Sequence, residues 1–352
     1  MTKELFHLRQ FRLLLLVLLY ALFSLPLSAQ EAYVEQSKDE TTLTFYYDNN
    51  RSSRNGKTWG IDEKSSSSKP VWAGTYEHPN GVVTKVVFDD SFKNYRPITT
   101  NYWFYYFSSL TTIEGLENLN TSVVTDMRWM FKGCSSLTSL NLSNFNTSKV
   151  TNMYGMFSGC SSLTFLNISK FNTSAVTNMY GMFSDCFGLT SLNLSNFNTS
   201  KVTNMNGMFV GCSKLTSLNL SNFNTSAVTD MGGIFYGCTG LTSLNLSNFN
   251  TSAVTNMSLM FSGCSGLTSL NVSKFNTSAV AYMYEMFRDC SGLKTIINTQ
   301  TWQCEKSQDM FKGCTQLKGA VKYDESKVDA TMANPTTGYF SEVAKCYRAS
   351  GL

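Results

Sequence analysis

Residues 137–162 read LTSLNLSNFNTSKVTNMYGMFSGCSS, and close copies of this stretch precede and follow it along the 352-residue chain. The copies share the apolar spacing L-x2-L-x-L-x2-F-x4-V-x2-M-x2-M-F-x2-C. Cysteine is the most regular marker and recurs every 26 residues, with a last step of 24, at Cys134, Cys160, Cys186, Cys212, Cys238, Cys264, Cys290 and Cys314. A fixed period of this length predicts a solenoid in which each copy forms one turn.

Each turn divides into a strand and a return segment. Leu140 and Leu142 alternate with polar residues, which predicts a short strand with one buried face. The return segment contributes further apolar side chains, and only stacking of turns can close the core above and below them. We therefore predict a leucine-rich-repeat solenoid with short parallel strands on one face, irregular or helical-turn return segments, about ten turns of 26 residues and degenerate end caps. Gly or Asp before each repeated cysteine predicts a tight turn with positive φ.

The chain divides into four predicted regions. Residues 1–29 have the basic start, the apolar run and the small-residue site of a cleaved signal peptide, and the mature chain has no second apolar run long enough to span a membrane. Residues 30–82 form an N-terminal cap or, alternatively, a small separate β domain. Residues 83–316 form the solenoid, and residues 317–352, which are charged and contain Pro335, form a C-terminal cap and tail.

The sequence offers little chemistry for catalysis. We expect the repeated cysteines to be buried free thiols, because no C-x2-C pair suggests zinc and neighbouring in-register cysteines point the same way. Cys304 falls in the column of Val280, whereas Cys346 lies off the pattern and is either free or paired between chains. His78 is the one histidine after residue 29. We therefore predict no enzyme, no catalytic residue, no cofactor and no metal site, and too few clustered cations for nucleic acid.

Two surfaces are candidates for binding an extracellular protein or glycan. The first is the outward side of the strands, where Phe165 interrupts polar columns that include Ser139, Asn141, Asn167, Asn193 and Asn219. These columns suit polar recognition, but they could equally serve only to solvate the sheet. The second consists of Trp129, Tyr154 and Tyr180, which lie between the paired methionines. Residues there vary most between turns, and we take this variation to indicate exposure.

The recurring V-T-x-M-x-x-M-F-x-x-C spacing over about residues 83–340 resembles the repeat of BspA-type leucine-rich-repeat surface proteins, which is related to repeats in mycoplasma lipoproteins. The resemblance implies a secreted or cell-surface bacterial protein with adhesin-like binding to host or bacterial surface proteins or glycans. The alternative function is that of a passive structural surface protein without a specific ligand.

Overall fold

The computed structural model describes residues 29–61 and 69–342. The predicted signal peptide, apart from residue 29, lies outside the described residues, and so do Cys346 and the last ten residues of the predicted tail. The described chain winds into stacked turns that share one contiguous apolar core, which extends from Val34 to Phe340. The predicted leucine-rich-repeat solenoid is confirmed.

The strands of the first two turns belong to a five-stranded sheet with the order β3-β1-β2-β4-β5. Its strands are β1 (Glu31–Gln36), β2 (Thr42–Asp48), β3 (Lys57–Gly60), β4 (Lys85–Phe88) and β5 (Thr112–Glu114). β1 pairs antiparallel with β2 and β3, whereas β2 pairs parallel with β4 and β4 parallel with β5. The hairpin of β1 and β2 therefore extends the solenoid sheet at its N-terminal edge.

The strand side of the repeats is only partly a sheet. β6 (Ser139–Asn141) pairs with β7 (Phe165–Asn167), and β8 (Ser269–Asn271) pairs with β9 (Thr295–Ile297), which in turn pairs with β10 (Phe340–Ser341). In the intervening turns, residues 189–194, 215–220 and 241–246 form no strand among the described residues. The strand ladder is therefore interrupted in the middle of the solenoid. Short 3-10 helices occur at Arg51–Ser53, Asp90–Asn94, Leu116–Asn118 and Ala330–Met332.

The continuous ladder between turns runs instead along the return segments. In the turn that begins at Leu137, the amides of Met153, Gly155, Phe157 and Gly159 donate to carbonyls of the following turn at 2.8–3.1 Å. The alternate amides donate three residues back within the same turn, as Met156 does to Met153 at 3.2 Å. Every second residue thus bonds across turns, and this pattern recurs from turn to turn.

This alternation requires left-handed backbone at two positions of each turn. The residue before each repeated cysteine has positive φ, from 57° at Asp289 to 77° at Gly313, so the predicted tight turn is confirmed. A second left-handed position lies four residues earlier, at Trp129, Gly155, Gly181, Gly207, Gly233, Leu259, Glu285 and Asp309. The glycines of this second column are buried. The expectation that both variable residues between the methionines are exposed is therefore wrong. Of the seven residues at the first position only Tyr180 is exposed, and the backbone conformation constrains the second position.

Aromatic and sulfur columns fill the core. Phenylalanine rings stack along the axis with centroids 5.5–5.9 Å apart and planes within 13° of parallel, from Phe131 to Phe311. The eight repeated cysteines are buried free thiols. Each donates Sγ–H to a carbonyl of the preceding turn, as Cys160 does to Phe131 at 3.2 Å. Cys304 is partly buried in the valine column and lies 3.5 Å from the Ala281 carbonyl.

Candidate functional site

The aromatic ridge is a run of contacting side chains that crosses consecutive turns on the return side. Ring centroids are 4.8 Å apart between Tyr102 and Trp129, 4.5 Å between Trp129 and Tyr154, and 4.7 Å between Tyr154 and Tyr180. Further rings continue it toward the N-terminal end, where Tyr105, Tyr106 and Tyr76 join the ridge. The structure thus brings the three predicted residues Trp129, Tyr154 and Tyr180 together and adds four tyrosines to them.

The repeat backbone positions these rings. Trp129 occupies the left-handed position of its turn with φ 54°, and its indole lies over Gly155 of the next turn. A Cβ on Gly155 would stand 2.6 Å from Trp129 Cδ1, so the ring can lie there only because the next turn has glycine. Tyr106 lies over Gly133 in the same manner. Glycine in one turn therefore makes the platform for an aromatic ring of the turn before it.

The ridge is aromatic and largely uncharged. Burial raises the pKa of Tyr102, Tyr105 and Tyr154, so these phenols remain neutral donors and acceptors at physiological pH. Lys132 Nζ lies 5.8 Å from the centre of the Trp129 ring, and burial lowers the pKa of this lysine. The ridge is therefore suited to stacking and hydrogen bonding, and Lys132 supplies a cation beside its largest ring.

The strand-side candidates lie elsewhere on the turn. Ser139 and Asn141 are exposed and line a shallow hollow with Thr112, while Phe165 is 56 % exposed beside them. Asn167 donates to the Asn141 side chain at 2.9 Å. No hydrogen bond or ring contact between described residues joins these side chains to the ridge.

The asparagines of the strand side are engaged within their own turns. Asn193 Oδ1 accepts the Ser195 amide at 3.0 Å, and Asn219 Oδ1 accepts the Ser221 amide at 3.1 Å. Both lie in turns where the strand ladder is open. These hydrogen bonds give the asparagine column a role in shaping the turn. A side chain that already binds its own backbone has less capacity for a ligand.

Several exposed or ridge aromatics were not among the residues predicted from the sequence. Tyr102 and Tyr106 lie in the degenerate N-terminal turn, where the aromatic stretch replaces the usual methionines and cysteine. Phe187 and Tyr236 are 45 % and 43 % exposed. Phe187 could have been found from the sequence, because it interrupts a column that otherwise contains only serine and threonine.

Within residues 29–61 and 69–342 no three His, Cys, Asp or Glu side chains are grouped so that they could hold a metal ion. The same residues include no helix with the length and apolar character to span a bilayer.

Several solved structures resemble this chain at low identity. A leucine-rich-repeat protein from Bacteroides ovatus is 17 % identical, with 84 % of this chain and 94 % of that chain covered and a TM-score of 0.29. A leucine-rich cell-surface protein from Faecalibacterium prausnitzii is 16 % identical, with 87 % and 96 % covered and a TM-score of 0.29. A leucine-rich-repeat protein from Eubacterium ventriosum is 16 % identical, with 84 % and 83 % covered and a TM-score of 0.34. Similarity at this level says nothing of what the present chain binds.

The repeats also match a family model. No curated protein gives a significant match to this chain. The model described as "Mycoplasma protein of unknown function, DUF285" matches residues 100–218 and 207–324, which together cover more than half of the sequence. This match confirms the predicted likeness to BspA-type and mycoplasma repeats. The chain therefore belongs to the family of that model, and its repeats build a leucine-rich-repeat solenoid.

Proposed function

We propose that this protein acts outside the cell, at a bacterial surface or after secretion, and binds a protein or glycan through the aromatic ridge. The observation that carries the proposal is the unbroken contact of Tyr102, Trp129, Tyr154 and Tyr180 across consecutive turns. Export through a cleaved signal peptide is part of the proposal, as is the adhesin-like character that the family resemblance implies.

The physical chemistry of the ridge supports binding. Tyrosine and tryptophan combine a large apolar area with a polar edge, and few of their rotatable bonds must be fixed on binding. Ring contacts along the ridge already restrict those bonds in the free protein, which lowers the entropic cost of engaging a partner. Tyr180, 38 % exposed at the end of the ridge, offers the most open ring face of the four.

We further propose that residues 30–82 are a cap and not a separate domain. The parallel pairing of β2 with β4 and the inclusion of Phe45 in the common core support this division. We propose that residues 83–316 form the solenoid proper and that residues 317–352 form the C-terminal cap and tail.

The ridge can be tested with substitutions that other turns of the chain already tolerate. Trp129→Gly introduces the residue found at Gly155, and Tyr154→Asn and Tyr180→Asn introduce the residue found at Asn206, each at the equivalent repeat position. The triple variant and a Tyr282→Ala/Tyr284→Ala control, which removes an aromatic pair outside the ridge, would be compared with wild type on immobilised matrix proteins, glycan arrays and bacterial cells. We expect saturable binding by wild type and control, and loss of at least tenfold in affinity for the triple variant.

The alternative, a passive structural surface protein without a specific ligand, predicts no saturable binding by wild type or by any variant. The asparagines that cap their own turns favour it for the strand side, because those columns then serve the fold and solubility. A coat would show no saturable binding to any of these targets. Binding that survives the triple variant would instead move the site away from the ridge.

A further inference from the structure

Two residues of one turn depart from columns that are otherwise nearly uniform. The position before the repeated cysteine is glycine in most turns, but it is Asp185 and Asp289 in two of them. The position after the cysteine is serine or threonine in every other turn from Ser135 to Thr315, but it is Phe187 in this one. The acid and the aromatic ring thus occur together only in the turn that contains Cys186. Neither is required by the repeat, because the other turns fold without them.

Both side chains lean over the same glycine. A Cβ built on Gly211 would lie 2.8 Å from Phe187 Cε1 and 2.9 Å from Asp185 Oδ1, so the ring edge and the carboxylate oxygen converge above a bare Cα. Asp185 adopts φ 59° to reach this position, and Ser184 Oγ donates to its other oxygen at 3.0 Å. Phe187 remains 45 % exposed. We call this arrangement the cradle.

The cradle opens into a groove along the solenoid axis. Its floor consists of Gly211, Gly237 and Gly263, which stack so that a Cβ on Gly263 would stand 3.4 Å from the Gly237 Cα. Tyr236 stands at its side, and the groove has a volume of about 550 Å³. A run of glycines leaves the backbone bare, so a ligand chain can approach it closely. The four steps between the five turns from Asp185 to Asp289 span roughly 19 Å, the length of about six residues of extended polypeptide.

Ion pairing differs between the two ends of the groove. At the far end Arg288 pairs with two acids, with contacts of 3.0 Å to Glu285 and 3.3 Å to Asp289. Asp185 takes part in none of the ion pairs formed between described residues. The charge of Lys132 acts on Asp185 from beyond ion-pair distance. The carboxylate without a contact ion pair therefore lies in the cradle, where an aromatic ring stands next to it.

We propose that this groove binds an extended polypeptide that places a lysine or arginine side chain in the cradle. The cation would pair with the Asp185 carboxylate, while the ring of Phe187 contacts the apolar stem or the guanidinium plane. The peptide backbone would run along the glycine floor beside Tyr236. A neutral glycan would leave Asp185 without a contact ion pair, so the charge distribution favours a basic peptide. The groove shares no lining residue with the aromatic ridge, so the two proposals can be tested independently.

Binding of designed peptides to the mature chain tests this assignment. The probes are fluorescent 12-residue peptides of glycine and serine with one central arginine, the same peptide with lysine, and the same peptide with glutamine. Fluorescence anisotropy should show saturable binding of the first two, and binding at least tenfold weaker for glutamine. Binding should also weaken as salt rises, because the contact is an ion pair.

Three variants locate the contact, and each replaces a residue with one that other turns carry at the same position. Asp185→Gly and Phe187→Ser should each weaken binding of the arginine peptide at least tenfold. Asp230→Asn, a control that removes a carboxylate outside the groove and installs the residue of Asn204 and Asn256, should change it less than twofold. Equal binding of the glutamine peptide, no effect of Asp185→Gly, or no saturable binding of either basic peptide would overturn the proposal. The ridge triple variant should bind these peptides normally, so failure here leaves the proposed function of the ridge untouched.

Discussion

Thr199 and the backbone of Asn224, one turn apart, exchange two hydrogen bonds. The threonine hydroxyl donates to the Asn224 carbonyl at 2.8 Å and accepts the Asn224 amide at 2.8 Å. The threonine is fully buried, and the same reciprocal pair recurs along the column from Thr121 to Thr251. One hydroxyl thus pairs with both the N–H and the C=O of Asn224, and neither group forms a backbone hydrogen bond between described residues.

Replacing this hydroxyl should destabilise the solenoid although the shape of the side chain is kept. Thr199→Val leaves the Asn224 amide and carbonyl without their side-chain partner, and we expect a loss of about 1–3 kcal/mol in the free energy of unfolding. Thr199→Ser keeps both hydrogen bonds and should cost only about 0.8 kcal/mol for the missing methyl group. Urea unfolding followed by circular dichroism measures both variants. A serine variant no more stable than the valine variant would show that packing, and not the paired peptide, determines the effect.

At the second left-handed position, adding a side chain should lower the stability of the protein and removing one should raise it. Gly233 has φ 59° and room for a methyl group, since a Cβ there would meet Tyr236 Cβ at 3.6 Å. Gly233→Ala therefore tests the backbone alone, and we expect a loss of about 1 kcal/mol. Leu259 holds φ 61° without being glycine, so Leu259→Gly should relieve strain of the same size. Thermal midpoints should shift in opposite directions, and a fall for both variants would contradict the assignment.

The core was predictable because its columns carry a strong apolar signal. In the six turns from Leu137 to Gly292, the nine inward columns are buried except at Leu166 and Leu192. The hydrogen-bond ladder of the return segments was not predictable from hydrophobicity. Its amides donate alternately across turns and within the turn, and this alternation follows backbone conformation and not side-chain polarity. A sign of it was present in the four successive glycines from Gly155 to Gly233. The buried threonines were hidden because they lie within Asn-Thr-Ser triplets that look like turn residues.

The candidate site was predictable only in part. Trp129, Tyr154 and Tyr180 stand out as large residues at a variable position, which is a property of the sequence. That Tyr102 joins them depends on the register of the first turn, where one extra residue shifts the column. The convergence of Asp185 and Phe187 over Gly211 depends on how side chains lean between turns, and repeat spacing does not specify this.

Stability should fall steeply in alkaline solution. Burial raises the pKa of the Cys160, Cys212 and Cys264 thiols from 9.0 to about 12. Between these values the unfolded chain loses thiol protons that the folded chain retains, so the stabilisation is complete below pH 9 and decreases as the pH rises toward 12. At pH 10.5 the loss is about 2 kcal/mol for each thiol.

Urea midpoints from pH 8 to 10.5 measure this slope. The Cys160→Ala/Cys212→Ala/Cys264→Ala variant should be less stable than wild type at pH 8, but its midpoint should fall less as the pH rises. The two curves therefore converge, and parallel curves would show that these thiols do not set the alkaline limit.

The strand-side amides of the middle turns, which lack the hydrogen bonds of a strand ladder, should exchange their hydrogens faster than those of the other turns. The octapeptide LTSLNLSN occurs at 137–144 and again at 189–196, 215–222 and 241–248. In the first copy the Leu142 amide donates to Asn167 at 2.9 Å. Within the described residues, the equivalent amides of Leu194, Leu220 and Leu246 make no backbone hydrogen bond. Since the octapeptides are identical, position in the solenoid and not strand propensity determines whether the ladder closes.

Identical octapeptides also provide their own control, because four of the compared amides have the same neighbours in sequence and hence the same intrinsic exchange rate. We expect the Leu194, Leu220 and Leu246 amides to exchange roughly tenfold or more faster than that of Leu142. The return-side amides of the same middle turns, such as Phe209, which donates to Ile234 at 2.9 Å, should remain protected. Equal protection of all four leucine amides would mean that the ladder is closed along the whole solenoid. Loss of protection on both sides of a middle turn would instead indicate that the whole turn opens, because a gap confined to the strand side leaves the return ladder intact.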